Sequence, residues 1–189
     1  MMRARETILN ELKSTIGDAE PHLHYEVTAI TYSNKTERFV QAIEANGGKI
    51  IETNDKSTIE NFIHAERDAG KYIQYIQKGE KINCAHAALY NIDTAIIKGE
   101  TAVAENGAIW ISENNIGHRL LPFTCKQLVL IVEEKNIVHN LQEAYEIINM
   151  ENEGYGIFIS GPSKTADIEQ SLVIGAHGAI NHLVILIKC

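Results

Sequence analysis

The sequence predicts an α/β protein, a three-layer sandwich around a mostly parallel, mixed sheet. Patterns with helical spacing alternate with short apolar runs along the chain, as in folds that place helices on both faces of a sheet. The runs at residues 128–132 and 183–187 are apolar throughout, which is typical of strands buried on both faces. Residues 101–112 break the alternation with two extended pieces around an Asn-Gly turn, so we expect the sheet to be mixed.

Capping signals and apolar spacing define the elements in the first half of the chain. Asn34 precedes Glu37 by three residues, and Ser57 precedes Glu60 by the same interval; this spacing predicts a capping box at a helix start. The elements predicted here are a helix over 1–16, a helix after Asn34 that ends at Gly47, a strand over 49–53, a helix after Ser57, a strand over 71–76 and a short helix over 84–90.

The second half continues the alternation. Asn140 with Glu143 three residues later predicts another capped helix. The elements predicted here are a strand over 93–98, two short strands within 101–112, a strand over 128–132, the capped helix, a strand over 157–159 and a strand over 183–187. We therefore expect one domain over residues 1–189, with residues 1–32 as an N-terminal helical extension.

Composition narrows the classes of partner. The chain has a net charge of −8 at pH 7 and 44% apolar residues, which suits a globular domain with a sizeable core. An acidic chain without a lysine or arginine cluster is a poor match for nucleic acid or for an anionic membrane surface. Residues 1–6 are charged, and no apolar run approaches membrane-spanning length. We expect a cytoplasmic protein without nucleic-acid or membrane partners.

Cysteine and histidine spacing argues against a metal or a cofactor held by this chain alone. The three cysteines, Cys84, Cys125 and Cys189, form no CxxC pair, so we predict neither a disulfide framework nor an iron–sulfur or zinc site. His22 and His24 have the spacing of a metal-binding pair on a strand. Without a third ligand nearby, surface histidines are the preferred interpretation.

The stretch around Gly161 combines features of a ligand site. An apolar run breaks at Gly161 and helical spacing resumes after Thr165, which predicts a strand, a tight turn and a helix that ends at residue 175. Anions bind at such places, because free N–H groups and the positive end of the helix dipole meet there. Lys164 adds a charge, and Ser163 and Thr165 add hydroxyls. The pattern also suits a capped turn without a ligand, with Asp167 complementing the helix dipole.

Two sequence blocks carry a family resemblance. One reads GPSKTADIE at residues 161–169 and is followed by GAHG at 175–178. The other reads AVAENGAI at residues 102–109 and is followed by RLLP at 119–122. Together they resemble the signature of the LUD domain, the lactate-utilisation protein C family, and the resemblance runs from about residue 36 to residue 187 in matching order.

This resemblance implies a fold, a pocket and a function. The implied fold is the one seen in glucosamine-phosphate deaminase, ribose-phosphate isomerase and coenzyme A transferases. In that fold the pocket lies at the carboxyl ends of the strands, which would bring the turn at Gly161 and the turn at Glu105 together. The implied function is that of an auxiliary subunit in bacterial oxidation of L-lactate to pyruvate, together with iron–sulfur partner subunits. A fold alone does not decide the chemistry.

Glu105 and Lys164 are the residues predicted to carry chemistry in this pocket. Glu105 would act as a base, a nucleophile or a hydrogen-bond acceptor, and Lys164 would neutralise a carboxylate or a phosphate. Structural roles stay open, since Glu105 can satisfy N–H groups of its own turn and Arg119 can pair with a surface acid instead of a ligand. The residues predicted to bind the ligand are Asn106, Gly107, Arg119, Gly161, Ser163, Thr165, Asp167, His177 and Gly178.

Two other functions remain open at this stage. The chain could be a free-standing isomerase, acyl-transferase or cyclo-ligase that acts on a phosphorylated or carboxylated metabolite, with Glu105 and Lys164 as its catalytic residues. It could also be a small-anion sensor without chemistry. The sequence does not decide whether the isolated chain is an enzyme. We expect a homodimer only because such dimers are common.

Overall fold

The computed structural model describes residues 2–15, 29–148, 154–166, 172–174 and 178–188. Its α-helices are α1 (Met2–Thr15), α2 (Lys35–Ala45), α3 (Ser57–Asp68), α4 (His86–Leu89), α5 (Glu113–Ile116), α6 (Leu121–Thr124) and α7 (Leu141–Ile147). Its strands are β1 (Lys49–Thr53), β2 (Ile73–Tyr75), β3 (Thr94–Lys98), β4 (Thr101–Val103), β5 (Ile109–Ser112), β6 (Gln127–Glu133), β7 (Ile137–Val138), β8 (Gly156–Ile159), β9 (Lys164–Ala166), β10 (Leu172–Ile174) and β11 (Asn181–Ile187). Among the helices in these ranges, none is long and apolar enough to cross a membrane.

The centre of the fold is a five-stranded sheet with the order β1-β11-β6-β3-β2. Each pair of neighbours in it is parallel. The two runs predicted to be doubly buried become β6 and β11, which pair with each other in the middle of the sheet. Their side chains alternate between two apolar clusters, so both faces of these strands are covered, as continuous apolar runs require.

Two layers enclose this parallel sheet. On one face, Val129 and Ile185 pack in a cluster with Phe62 of α3. On the other face, Leu130 and Val184 pack in a larger cluster that includes residues of α2 and of a second sheet. The predicted α/β class with three layers and mostly parallel strands is therefore confirmed.

The second sheet contains the antiparallel pairing that the Asn-Gly turn indicates. Its order is β7-β4-β5-β8, and β5 is antiparallel to both β4 and β8, whereas β4 and β7 are parallel. The chain passes from the first sheet to the second at Gly99, between β3 and β4. A methyl group on Gly99 would stand 2.4 Å from Ile109 Cγ2, so glycine lets the two sheets approach closely.

Two of the three predicted helix caps are present as expected. Asn34 Oδ1 accepts a hydrogen bond from the N–H of Glu37 at 3.1 Å. Asn140 Oδ1 accepts one from the N–H of Glu143 at 2.9 Å. Each satisfies an N–H group that has no partner within its own helix.

The predicted cap at Ser57 is wrong, because Ser57 already lies inside α3. The N-cap residue is Lys56, which makes no side-chain cap hydrogen bond, and the carboxylate of the preceding Asp55 accepts hydrogen bonds from both the N–H and the hydroxyl of Ser57. A charged carboxylate is the stronger acceptor of the two side chains. These bonds hold the pKa of Asp55 below its ordinary value.

The helix predicted after Thr165 is also wrong where the structure describes it. Lys164–Ala166 and Leu172–Ile174 are strands that pair antiparallel as a hairpin, while residues 167–171 lie outside the described residues. The prediction depended on a single apolar pair at helical spacing. The β-branched residues Thr165, Val173 and Ile174 favour the extended conformation that the chain adopts here.

The central sheet leads to a prediction about stability, based on two isoleucines that are register partners. Ile185 in β11 is fully buried, whereas its partner Ile51 in the edge strand β1 is 38% exposed. We expect Ile185→Ala to lower the free energy of unfolding by about 2–5 kcal/mol, because it leaves a cavity between packed layers. Ile51→Ala is the matched control and should cost about 1 kcal/mol or less. Urea unfolding of both variants checks this, and equal losses would contradict the layered packing.

Candidate functional site

The end of α2 is the point where the segments of the candidate site meet. The helix stops in a Schellman motif: the N–H of Gly47 donates to Glu44 O at 2.9 Å and the N–H of Gly48 to Ile43 O at 3.0 Å. Gly47 has a φ of +83°, which glycine adopts without strain. This ending leaves the preceding residue, Asn46, at the helix C-cap with its side chain half-buried.

The Asn46 side chain joins the two turns that carry the predicted site. Its amide Nδ2 donates to Asn106 O at 2.8 Å and to Ser160 Oγ at 2.7 Å. Ser160 Oγ in turn donates to Asn106 O at 2.8 Å. The turn after β4 and the turn after β8 are therefore held against each other at the end of α2, although they are more than fifty residues apart in sequence.

Glycine is required in both of these turns. Gly107 has a φ of +70° and Gly161 a φ of +76°, a region that other residues rarely enter. A methyl group on Gly107 would stand 3.1 Å from Ile43 N, and one on Gly161 would stand 2.7 Å from Asn46 O. Both glycines thus let their turns pack directly on the backbone of α2.

A cavity of about 270 Å³ lies beside the second turn. We call it the Gly161 cavity. It is lined by β8, by residues 160–164, by Pro122 and Phe123 of α6, by Leu128, and by the backbone at Gly178 and residue 179. Its lining mixes polar and apolar groups, and the charged residue among the described lining residues is Lys164.

Ser163 and Lys164 are available to a ligand in this cavity. The N–H of Ser163 donates to Ala179 O at 2.9 Å, and a methyl group on Gly178 would stand 3.0 Å from Ser163 Cβ. The turn is thus anchored through its backbone, which leaves the Ser163 hydroxyl free of that role. Lys164 is exposed, and no carboxylate in the described ranges pairs with it.

The position of the Gly161 cavity differs from the one expected. The family fold predicts a pocket at the carboxyl ends of the strands, but this cavity lies at the amino ends of β6 and β11, next to Leu128 and Gly178. The Gly161 turn lies at this edge because β8, which leads into it, belongs to the second sheet and not to the parallel one; the pocket at the carboxyl ends stays a prediction. The turn therefore crosses to the opposite edge of the central sheet.

Glu105 does not line the Gly161 cavity. Its carboxylate Oε2 accepts a hydrogen bond from the N–H of Leu141, the first residue of α7, at 3.3 Å. Its own N–H donates to His139 O at 3.0 Å, and its carbonyl accepts from Arg38 Nη2 at 2.8 Å. The two turns touch as expected, but the carboxylate of Glu105 is directed to a helix start and not into a cavity shared with Lys164. Its catalytic role stays a prediction.

The surroundings of Glu105 include residues that the sequence analysis missed. The Arg38 guanidinium lies 5.5 Å from the centre of the Tyr32 ring, and the N–H of Tyr32 donates to His139 Nδ1 at 3.0 Å. Asn140 Nδ2 also donates to Ile30 O at 3.0 Å. These bonds tie residues 30–32 to the start of α7. The sequence feature that could have indicated this arrangement is Arg38, one turn into a well-capped helix. Such an arginine is too common to mark a site.

The other predicted ligand residues divide into three groups. Asn106 is exposed, and its side chain accepts from the N–H of Ala108 at 3.0 Å, which closes its own turn. Arg119 pairs with Glu113 at 2.6 Å and stacks on Tyr155, so it binds an acid of this chain, which is the alternative left open above. Thr165 lies in β9 without a described side chain. Asp167 and His177 lie outside the described residues, and so do His22 and His24, which were interpreted as surface histidines.

His182 is a buried polar residue that the sequence did not single out. It lies in β11, it is 3% exposed, and neither of its ring nitrogens has a hydrogen-bond partner among the described residues. Burial lowers the pKa of His182 to about 4, so the imidazole is neutral near pH 7. A methyl group on Gly48 would stand 3.0 Å from its Nδ1, so the ring packs on the end of α2. In the described ranges, no three His, Cys, Asp or Glu side chains form a group that could hold a metal ion.

The family model and the similar proteins point to the same family. The family model described as the LUD domain matches residues 65–187. Lactate utilization protein C from Bacillus pumilus is 31% identical over 114 residues, which are 57% of this chain and 46% of that protein. The Bacillus subtilis protein of the same name is 33% identical over 65% of this chain and 50% of its own length. The Anoxybacillus flavithermus protein is 26% identical over 94% of this chain and 81% of its own length.

A solved structure supports the fold. The crystal structure of a DUF162 family protein from Deinococcus radiodurans is similar with a TM-score of 0.65, over 84% of this chain and 99% of that one. Its sequence identity is 18%, so the similarity concerns the fold. In length, this chain spans about half of the Bacillus pumilus and Bacillus subtilis relatives.

The contact between the Gly161 turn and α2 leads to a testable prediction. Gly161 and Gly70 share a φ of +76°, but a methyl group on Gly70 would meet nothing within 4 Å. Gly70→Ala should therefore cost only the strain of a left-handed alanine, about 1 kcal/mol. Gly161→Ala should cost about 1–3 kcal/mol more, because its methyl group collides with the Asn46 carbonyl. Thermal or urea unfolding measures both, and equal losses would show that the turn does not pack on α2.

Proposed function

Because this chain belongs to the LUD domain family, we propose that it acts in lactate utilisation. The proposal is supported by the names of its relatives, which are called lactate utilization protein C in several Bacillus and Geobacillus species. The similarity to the Anoxybacillus flavithermus protein extends over 94% of this chain. It thus includes α2 and both turns that the Asn46 side chain joins.

In this proposal the chain is an auxiliary subunit, and partner subunits accept the electrons. Oxidation of L-lactate to pyruvate removes two electrons and two protons, so an acceptor is needed. Iron–sulfur clusters commonly take four cysteine thiolates, whereas this chain has three cysteines. Of these, Cys125 is buried, and burial raises the pKa of its thiol to about 12. A thiol that keeps its proton is a poor cluster ligand, which favours clusters on iron–sulfur partner chains.

The Gly161 cavity is the proposed site for a small carboxylate or phosphate. The observation that carries this is Lys164, which lines the cavity together with Ser163 and has no carboxylate partner in the described ranges. A volume of about 270 Å³ admits a small anion, which would gain a charge-assisted hydrogen bond from Lys164.

The geometry favours this proposal over a free-standing enzyme that uses Glu105 and Lys164 together. The Glu105 carboxylate accepts a hydrogen bond from the N–H of Leu141 in α7, and Glu105 does not line the Gly161 cavity. A general base must come within hydrogen-bond reach of the group that it deprotonates. In the described arrangement, Glu105 is not among the residues that line the cavity beside Lys164.

The proposed function predicts a growth defect and a complex. Deletion of the gene should slow or abolish growth on L-lactate as the carbon source, and growth on glucose should be unchanged. The tagged chain, purified from cells grown on lactate, should bring down iron–sulfur proteins that reduce a dye when L-lactate is added. Restoring the gene should restore both. Unchanged growth on lactate together with purification of the chain alone would overturn the proposal.

The proposed anion site predicts that Lys164 is needed for binding. Inorganic phosphate and acetate should shift the amide NMR signals of Gly161, Ser163 and Lys164 in the isolated chain. Lys164→Gln should weaken that binding about tenfold, the effect of losing one charge-assisted hydrogen bond. Lys56→Gln removes the same charge at an exposed helix start and should leave it unchanged. Equal weakening in both variants would indicate a general charge effect and would contradict the site.

A further inference from the structure

A second cavity, of about 340 Å³, lies at the opposite edge of the parallel sheet. It is bordered by the residues that follow β2 and β3, where these strands end. We call it the Glu100 cavity. Its polar lining includes Lys78, Lys98, Glu100, Asn115 and Asn136, which come from four separate segments of the chain. Ligands of open α/β sheets bind at this carboxyl edge, so the expected location is occupied by a polar cavity, although not by the predicted residues.

The Glu100 carboxylate is held in place by two buried donors. Its Oε1 accepts hydrogen bonds from Ser112 Oγ and, at 2.6 Å, from Asn115 Nδ2. Ser112 is 1% exposed and Asn115 is 6% exposed. Within the described part of the chain, the other oxygen, Oε2, accepts no hydrogen bond. One oxygen is thus used to fix the carboxylate, and the other keeps its capacity to accept a hydrogen bond on a residue that lines the cavity.

The backbone that carries Glu100 is equally constrained. The N–H of Gly99 donates to Ile131 O at 2.9 Å in the first sheet, and the N–H of Glu100 donates to Trp110 O at 2.9 Å in the second sheet. Gly99 cannot carry a side chain, because a methyl group would stand 2.4 Å from Ile109 Cγ2. A carboxylate anchored at both its backbone and its Oε1 is preorganised, which is what a binding site needs.

The charges around the cavity are nearly balanced, so an added anion would meet little net repulsion there. Lys98 lies 2.7 Å from Glu133, whose other oxygen lies 2.6 Å from Lys135. These two lysines lower the pKa of Glu133 to about 2. On the β2 side, the Glu80 carboxylate accepts from the N–H of residue 77 at 2.8 Å. Lys78 is exposed and has no carboxylate partner in the described ranges.

We propose that the Glu100 cavity binds a small carboxylate that carries an α-hydroxyl group. The carboxylate of the ligand pairs with the Lys78 ammonium, and its hydroxyl donates a hydrogen bond to Glu100 Oε2. The amides of Asn115 and Asn136 complete a polar lining. The choice of a hydroxyl donor over an ammonium donor rests on the lactate function proposed above. The complementarity of the ligand to Lys78 and Glu100 is independent of that function.

Binding by the isolated 189-residue chain tests this with L-lactate, propionate and L-alanine as probes. Propionate lacks the hydroxyl, and L-alanine carries an ammonium group in its place. L-Lactate should bind saturably and about tenfold more tightly than propionate, the effect of one hydrogen bond to a charged group. The shifts in the amide NMR spectrum should centre on residues 98–100, 115 and 136. Tighter binding of L-alanine than of L-lactate would overturn the hydroxyl assignment.

Variants then separate this cavity from the Gly161 cavity. Glu100→Gln keeps an acceptor for Ser112 and Asn115 but removes the charge, so the preference for L-lactate over propionate should disappear. Lys78→Gln changes an exposed position and should not disturb packing. It should weaken the binding of both L-lactate and propionate about tenfold. Lys56→Gln should change neither affinity. Loss of L-lactate binding in Lys164→Gln with normal binding in Glu100→Gln and Lys78→Gln would overturn the assignment to this cavity.

The test of the Glu100 cavity and the test of the proposed cellular role can fail independently of each other. A chain whose deletion spares growth on lactate, but which binds L-lactate through Glu100, would refute the cellular role and keep this site. A chain that is required for growth on lactate, but shows no saturable binding or binds equally in all variants, would refute this site and keep the cellular role.

Discussion

The closed set of hydrogen bonds made by the Asn46 side chain is the interaction on which the candidate site depends. One amide group donates to both Asn106 O and Ser160 Oγ, and Ser160 Oγ donates to the same carbonyl. Because α2 ends in a Schellman motif immediately after Asn46, the amide has a defined position. Two distant turns are therefore positioned by one residue that is neither charged nor at a cavity. The packing of Gly161 on Asn46, and of Pro162 and Lys164 beside Gly47, adds to this contact between the turn and the end of α2.

The division of the strands into two sheets has consequences for chemistry. The strand that leads into the Gly161 turn belongs to the mixed sheet, and the strand that follows Gly178 belongs to the parallel one. The turn consequently lies at the amino edge of the parallel sheet, while Glu105 faces α7. Glu100 lies at the carboxyl edge, between β3 and β4, where the chain passes from the parallel sheet to the mixed one. Glu105, which the sequence suggests as the partner of Lys164, therefore does not line the Gly161 cavity, and the pairing of the two stays a prediction.

Local rules predicted the parts of the structure that are decided locally. Continuous apolar runs identified β6 and β11, and side-chain spacing identified the caps at Asn34 and Asn140, since these depend on residues within one element. The hairpin of β9 and β10 was missed, because pairing between strands overrides a weak helical spacing. Asn46 was missed for the same reason: its partners lie more than fifty residues away, and an asparagine before two glycines indicates only a helix end. The family resemblance predicted the fold class, and the cavity at the carboxyl edge that it implies is bordered by Glu100 and not by the residues of its two sequence blocks.

The two cavities differ in how they would hold an anion, and this difference bears on their roles. The Gly161 cavity offers an exposed lysine on a short hairpin, so its attraction is mainly electrostatic, sensitive to salt and weakly selective. The Glu100 cavity offers an acceptor fixed by two buried donors, so it discriminates ligands by the hydrogen-bond donor that they carry. Discrimination between a hydroxy acid and its keto acid needs the second kind of site, because the two differ by that donor and share the carboxylate. If both cavities bind anions, selectivity for a hydroxy acid therefore resides at Glu100, and the Gly161 cavity is suited to a less specific anion, including an acidic side chain of a partner subunit.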